Sequence, residues 1–527
     1  MAVAGNANPR TRTLLYPLLL LGGIALVVFL GLYLVDWALT QPKVNPFRLL
    51  FRFDIDTLQN ALGNMAQVVA AILGIVVTVV AIVVQLAATR YTSRIADMFF
   101  RDRTNLAVLG FFVVACINAV WVSVSVAHEF LPRVSVVFTM VLVTASLLIM
   151  VPYFAYVFDF LDPDHVVGRI QQQAVASALG AGRLVASVAD RQQRALYGVE
   201  QLSDIAINAA SQKDKAIATG AVDAIKDLAV TYLGDKRRVS DDWFHVGPRI
   251  RQNPDFVSLA AESVDDLDRK HVWLEYKILR QYQSIYNESL GEMPDINHLI
   301  AINTRYIGEA ALSASDGEAL SLAVKFFNTY LRATLNASHI RTAYNVLNQY
   351  RQLAERALEI GQTARVSEIA FFFKYYAQIA HGMELGFVSE TVAYDLATLC
   401  ERAFALQAPS HAAILKVLLE VDKEAESQAQ EHTLRGVRKA QAKLASFYLV
   451  AGGDGVPFAR QIFEDMKDER AERLRSICDE LLRIESKDFW EVIDRGTNFD
   501  YVDDARKAQL KVFFSWFPTL NKEAAHA

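Results

Sequence analysis

Uncharged polar side chains recur on one face of a long apolar segment, Thr57 to Thr89, that contains no charged residue. Spacings of three, four and seven residues place such side chains on the same side of a helix. Carboxamides are costly to expose to lipid, so this face should contact protein or water. If copies of the helix surround a water-filled path, the residues predicted to line it are Asn60, Asn64, Gln67, Gly74, Thr78 and Gln85.

A helix–helix interface is the alternative interpretation of this polar face. Small residues at four-residue intervals let two helices approach closely, and the segment has them at Ala66, Ala70, Gly74 and Thr78. Gln67 and Gln85 would then hydrogen-bond across the interface. In both interpretations the bulky β-branched residues are expected to face outward, and these are Val69, Ile72, Val76, Val79 and Val83.

Acidic side chains cluster where the fourth apolar run ends. Three carboxylates and an imidazole lie within seven residues and could bind a hard cation such as Ca²⁺; they are Asp159, Asp162, Asp164 and His165. Their spacing does not match an EF-hand loop. The alternative is that Asp162 or Asp164 caps the N-terminus of the next helix.

Arginines are concentrated in the loop between the second and third apolar runs. This loop is a candidate for gating or for coupling to the rest of the chain, through Arg90, Arg94, Arg101 and Arg103. Asp97 and Asp102 lie between three of these arginines and can pair with them at helical spacing. A simple anchor of the positive-inside type explains the loop equally well.

Four apolar runs must position these residues, at about 14–39, 61–89, 106–126 and 134–160, within a predicted transmembrane domain of residues 1–165. Seven basic residues flank the runs on one side and four on the other. This bias predicts a multi-pass membrane protein with both termini in the cytoplasm. Membrane lipid is therefore one predicted partner.

The rest of the chain has apolar periodicity typical of helices, with short breaks and no alternation that indicates strands. We predict a helical neck at 166–235, a linker at 236–254 and a cytoplasmic helical-repeat-like domain at 255–520. Ala442–Met466 resembles a tetratricopeptide-type hairpin, but the pattern elsewhere defines no repeat length. The predicted fold class is all-α, with a four-helix transmembrane domain followed by the neck and an α-solenoid-like domain.

The run QLAATRYTSRIADMFFRDRTNLAVLGFF, from Gln85 to Phe112, resembles a pattern in an uncharacterised bacterial family of predicted membrane proteins. Asp204–Leu228 is similar to a second segment of that family, although the Asn-Asp-Pro of that segment is absent here. The resemblance covers roughly residues 60–230 and implies a four-span membrane domain without an established activity. Because the family is bacterial, the resemblance also implies the bacterial inner (plasma) membrane. The four spans are also similar in architecture to bestrophin-type anion channels.

Other function classes lack support in the sequence. The net charge of −5 gives no argument for nucleic-acid binding, and three cysteines far apart in sequence form no disulfide framework or paired CxxC. There is no phosphate-binding GxxxxGK[ST] loop, dinucleotide fingerprint or HExxH motif. We therefore predict that the protein is not an enzyme and needs no cofactor.

Two functions from different classes are consistent with these patterns. The first is a homo-oligomeric ion channel lined by the second span, with a regulatory domain in the cytoplasm. The second is a membrane-anchored scaffold, in which the helical domain binds a cytoplasmic protein partner and the spans only localise it. They differ in whether a continuous water path crosses the membrane.

Overall fold

The computed structural model describes residues 9–40, 45, 54–90, 99–127, 131–180, 187–422, 427–489, 495–496 and 498–520. The chain divides into two compact units, Met1–Arg169 and Ile170–Ala527. Throughout the described residues the regular structure is helical and contains no strand. The predicted all-α fold class is therefore confirmed.

The first unit is built from four long helices: α1 (Pro9–Thr40), α2 (Ile55–Arg90), α3 (Arg103–Ser125) and α4 (Arg133–Phe160). Each is long and apolar enough to cross a membrane. At 1.5 Å per residue, α2 is about 54 Å long, well beyond a hydrocarbon core of about 30 Å. It must therefore tilt or project beyond the bilayer.

Helices α2, α3 and α4 pack against one another, and α1 packs against α4. Val69 of α2 lies in a cluster with Ala115 of α3 and Val143 of α4. Leu58 and Leu62 of α2 pack with residues near the end of α3 and near the start of α4. The bulky residues of α2 thus form the inner face of the bundle.

This packing corrects one expectation from the sequence. Val69, Ile72 and Val76 are buried inside the bundle, and Val79 and Val83 are half-buried, so these residues do not form an outward face. The interior of a membrane bundle and the surrounding lipid are similarly apolar, so hydrophobicity alone does not say which of the two a valine faces.

The second unit contains most of the remaining helices, while α5 extends across the boundary between the units. Their bounds are α5 Pro163–Leu179, α6 Val188–Ser211, α7 Lys215–Asp235, α8 Pro248–Arg251, α9 Pro254–Val257, α10 Ala261–Arg269, α11 Trp273–Ser289, α12 Pro294–Ser313, α13 Gly317–Asn336, α14 Ile340–Glu359, α15 Thr363–Gly382, α16 Gly386–Ala405, α17 His411–Leu419, α18 Gln428–Ala451, α19 Val456–Met466, α20 Ala471–Arg483 and α21 Asp504–Ser515. Two 3₁₀ turns, Lys236–Arg238 and Asp241–Trp243, lie between α7 and α8.

The longer of these helices form two layers. In layer A each helix packs against the next in the order α7, α12, α14, α16, α18, α21. In layer B the order is α6, α11, α13, α15, α17. The predicted neck residues contribute α6 and α7 to these layers, and the segment predicted as a linker buries Lys236 and Trp243.

A regular interval relates three successive helix pairs, although the sequence pattern alone did not define one. In layer A, α12, α14 and α16 begin at Pro294, Ile340 and Gly386, each 46 residues after the one before. Residues with positive φ in the turns that follow these helices keep the same interval, at Ser315, Gly361 and Gln407. An interval of 46 is longer than the roughly 34 residues of a tetratricopeptide repeat.

Candidate functional site

The polar face of α2 points away from the rest of the first unit. All six residues that the sequence predicts as pore-lining are exposed: Asn60, Asn64, Gln67, Gly74, Thr78 and Gln85. Because successive helical residues are turned by about 100°, this face lies opposite the one that buries Leu62, Val69 and Val76. The structure thus brings these residues together on one continuous surface.

The small residues of this face leave open space beside the helix. A Cβ placed on Gly74 would meet no other atom within 4 Å. Ala70 and Thr78 are exposed and Ala66 is half-buried. The small-residue ladder therefore makes no close helix–helix approach within the described part of this chain, which leaves it available to another molecule. The Thr78 hydroxyl donates to the Gly74 carbonyl over 2.8 Å.

The exposed faces of α3 and α4 have a different character. Beyond the arginines at their first positions, their large exposed side chains are apolar, as at Trp121, Val124, Val134 and Phe138. Polar groups near the middle of these two helices bond within the bundle or to their own backbone: the Asn118 amide donates to the Thr139 hydroxyl over 2.9 Å, and Thr144 and Ser146 donate to carbonyls four residues earlier. Among these three helices, α2 alone presents carboxamides on its outer face along much of its length.

A buried polar cluster joins the start of α3 to the end of α4. The Asp102 carboxylate caps α3 by accepting from the backbone amides of Thr104 and Asn105, over 2.8 and 3.3 Å, and it also accepts from the Tyr156 hydroxyl. The Asn105 side chain donates to the Phe99 carbonyl over 3.2 Å and accepts from the Tyr153 hydroxyl over 2.6 Å. The last residues of the α2–α3 connection are therefore held against α4.

Electrostatics favours the charged form of Asp102. Partial burial raises the pKa of this carboxyl, but the hydrogen bonds from Tyr156, Thr104 and Asn105 outweigh burial and leave the pKa below its ordinary value. At neutral pH the group is an anion that holds Tyr156 in place. The sequence indicated Asp102 only as a partner of nearby arginines, Tyr153 and Tyr156 only as residues of an aromatic belt, and Asn105 not at all. An asparagine in the first turn of an apolar span was the available signal.

The four candidate gating arginines are only partly covered by the structure. Arg101 and Arg103 are exposed at the start of α3. Arg94 lies outside the described residues, and Arg90 is the last residue of α2 but its side chain is not described. Their role in gating stays a prediction.

The acidic residues at the end of α4 and the start of α5 contact His165 and the backbone instead of converging on one point. His165 Nδ1 lies 3.3 Å from Asp159 Oδ1, while Asp162 Oδ1 accepts from the backbone amide of Asp164 over 3.1 Å as α5 begins. No group of three or more His, Cys, Asp or Glu side chains within the described residues is arranged to hold a metal ion. The structure therefore pairs two of the four candidate ligands without bringing the set together.

Comparison with known proteins bears on the first unit and on the start of the second. Residues 10–196 match the family described as "Predicted membrane protein (DUF2254)". The DUF2254 match confirms the resemblance seen in the sequence, begins before it, and ends before Asp204–Leu228. No curated protein and no solved structure matches the chain. The DUF2254 match and the four apolar helices together indicate a membrane protein.

Proposed function

We propose that the protein is a homo-oligomeric ion channel in which copies of α2 surround a water-filled path across the membrane. The observation that carries this proposal is the exposure of Asn60, Asn64, Gln67, Thr78 and Gln85 on the side of α2 that the other described residues leave uncovered. These groups need a polar environment, and an oligomer provides one.

The free-energy cost of exposing the α2 carboxamides to lipid supports self-association. A carboxamide transferred from water to an apolar phase without a hydrogen-bond partner costs about 2–7 kcal/mol. Four such groups lie on the exposed face of α2 in every copy. The apolar exposed faces of α3 and α4 suit lipid, so a ring with α2 inside and α3 and α4 outside satisfies both surfaces.

The proposed path has polar ends and a mixed centre. Asn60, Asn64 and Gln67 form carboxamide rings towards the outer mouth, Thr78 a central ring and Gln85 an inner one. Because the Thr78 hydroxyl donates its proton to Gly74, its oxygen lone pairs face the path. Ile82 is exposed between Thr78 and Gln85 and supplies an apolar constriction. From Thr57 to Thr89 this face has no charge, so we expect selectivity to depend on path width and on side-chain dipoles.

A membrane-anchored scaffold is the second candidate. The observation that favours it is the second unit, whose two helical layers are larger than the membrane bundle and resemble the stacked helix pairs of partner-binding proteins. In the channel proposal this unit is a regulatory part in the cytoplasm of a bacterial cell. In the scaffold proposal it carries the whole function.

Ion flux into proteoliposomes that contain the purified protein tests the channel proposal. We expect flux from the wild type and a changed flux from Gln67→Leu and Thr78→Val, which place apolar groups on the path. Val114→Leu, at an exposed apolar position of α3, is the matched control and should leave flux unchanged. Absence of flux from correctly inserted wild-type protein would reject the channel and favour the scaffold.

A further inference from the structure

A short segment near the C-terminus contacts helices of layer A at residues that precede it by between 56 and 151 positions. Arg495 forms two hydrogen bonds to the Asp395 carboxylate, one of 3.2 Å, and donates to the Tyr344 carbonyl over 2.9 Å. Its guanidinium also lies 4.3 Å from the centre of the Tyr344 ring. The side chains of Arg495 and Asp395 are only 4% and 2% exposed, so this contact is buried.

Two further side chains of the segment have complementary partners. The Phe499 ring stacks on Tyr394 with centroids 4.8 Å apart and planes within 10°. The Asp500 carboxylate accepts from the Tyr394 hydroxyl and from Lys439, the latter over 2.9 Å. Lys443 donates to the Phe499 carbonyl over 2.7 Å. We call Arg495, Asn498, Phe499 and Asp500 the return segment.

The surface that the return segment contacts differs in residue type from the equivalent positions of the preceding repeats. Asn303, Gln349 and Asp395 are 46 residues apart on α12, α14 and α16 and so occupy equivalent positions. Gln349 accepts from Arg305 of the preceding layer A helix over 2.8 Å, and Asp395 has Arg351 in the equivalent place at 3.2 Å. The amide of Gln349 is thus enough to bind the arginine of the preceding helix. A carboxylate, Asp395, is found where a second arginine, Arg495, also binds.

Residues that follow the return segment complete the same pattern. Glu309 and Glu355 pair with arginines four residues earlier on their own helices, Arg305 and Arg351. Glu401 occupies the next equivalent position, but the residue four positions before it is Ala397 and not an arginine. Arg506, from α21, fills this gap with hydrogen bonds of 2.9 and 3.0 Å to Glu401. Layer A is therefore specialised at this end to receive cationic groups from a distant segment.

We propose that the surface formed by Tyr344, Tyr394, Asp395, Lys439 and Lys443 is a docking site for a linear peptide segment of a partner protein. The ligand has an arginine, an aromatic residue four positions later and a carboxylate directly after that. The return segment occupies this site within the chain and is replaced when the partner binds.

The chemistry of the contacts supports recognition of a short linear segment. The Arg495 guanidinium donates to the Asp395 carboxylate and lies over the Tyr344 ring. The Phe499 ring stacks in parallel on Tyr394, and the Asp500 carboxylate accepts from Lys439 and from the Tyr394 hydroxyl. All three anchors come from six consecutive positions. Towards this surface the backbone contributes a hydrogen bond at the Phe499 carbonyl, while the Asn498 amide donates to the Lys487 carbonyl over 2.9 Å, so the side chains make most of the contact with the surface.

The test uses a fluorescein-labelled synthetic peptide with the sequence of residues 492–503, added to detergent-solubilised full-length protein. Anisotropy should report binding about tenfold or more tighter to Arg495→Ala/Phe499→Ala than to the wild type, whose site is occupied. Adding Asp395→Asn to this variant should weaken the binding by a similar factor. Arg332→Ala, at a contact with Tyr375 of layer B, is the control and should bind as the wild type does.

A peptide that fails to bind the folded double variant, or that binds equally well with Asp395→Asn, overturns the proposal. If the double variant does not fold, hydrogen exchange of the wild type decides. Excess unlabelled peptide should accelerate exchange of the amides of Asn498–Asp500, because the return segment is displaced. Unchanged exchange at saturating peptide overturns the proposal as well.

Discussion

Gln67 is exposed on α2, whereas Val69, two residues further along the same helix, is completely buried against α3 and α4. The two side chains point in nearly opposite directions because two helical steps turn the chain by about 200°. Within the part of the chain that the structure describes, the polar side of the helix is thus left uncovered. A membrane bundle that buried its own polar groups would show the opposite arrangement. This relationship is the basis of the proposed oligomer.

Accessibility of substituted cysteines should follow these two faces. In a background without the three native cysteines, Gln67→Cys should react with a water-soluble thiol reagent about tenfold or more faster than Val76→Cys, because only the first faces water in the proposed path. Val114→Cys, on the apolar outer face of α3, is the control for lipid exposure and should also react slowly. Equal rates for Gln67→Cys and Val114→Cys in membranes would contradict the water path.

Stability of the membrane bundle should depend on the buried face of α2 rather than the polar one. Val76 is fully buried, so Val76→Ala should lower the free energy of unfolding by about 1–3 kcal/mol through the cavity it leaves. Thr78→Ala removes only a hydroxyl that bonds to its own helix, and should change stability by about 0.5 kcal/mol or less. Unfolding in mixed detergents monitored by circular dichroism measures both, and the reverse order would refute the assigned orientation of α2.

The turn between α18 and α19 should tolerate no side chain at Gly455. A Cβ there would lie 2.2 Å from the backbone carbonyl oxygen of Tyr448, which cannot move as a side chain can. Gly455→Ala should therefore destabilise the second unit by about 3 kcal/mol or more. Gly453→Ala, in the same turn, meets no atom within 4 Å and is the matched control. Thermal melts in which both variants match the wild type would mean that this turn is arranged differently.

Lys443 should make stability depend on pH. Burial lowers the pKa of this amine to about 8 from an ordinary 10.5, so between these values the unfolded chain binds more protons and stability rises with pH. Lys443→Met removes the cost of the buried charge but loses the hydrogen bond to Phe499, and should stabilise the second unit by about 1–3 kcal/mol at pH 7.

The difference between Lys443→Met and the wild type should shrink as pH rises from about 8 to about 10.5, since the folded lysine is then neutral. Urea unfolding followed by fluorescence of Trp243 and Trp273 measures it across this range. Lys325→Met, at an exposed position, controls for general loss of charge. A stability difference that does not change with pH would show that Lys443 is not buried as described.

The sequence predicted the elements well. Predicted apolar runs such as 106–126 and 134–160 differ by three residues or fewer from α3 and α4, because hydrophobicity and length largely define a membrane helix. The apolar periodicity predicted as helical in the rest of the chain likewise corresponds to helices, for example α12, α13 and α14. Breaks with turn residues marked their ends.

Arrangement was harder to predict than the elements themselves. The valines of α2 were placed on the wrong face because a bundle interior and lipid attract them equally. The 46-residue interval was missed because few equivalent positions share a residue type, Glu309, Glu355 and Glu401 being an exception. The contact of Arg495 with Asp395 joins residues a hundred positions apart, and no local pattern marks it.

Imaging the purified full-length protein by single-particle electron microscopy tests the central claim most directly, because it locates α2 relative to the symmetry axis. We predict a ring in which Asn64, Gln67, Thr78 and Gln85 of every copy face a continuous axial cavity. A monomer, or a ring whose α2 helices are packed against one another without a cavity, would contradict it.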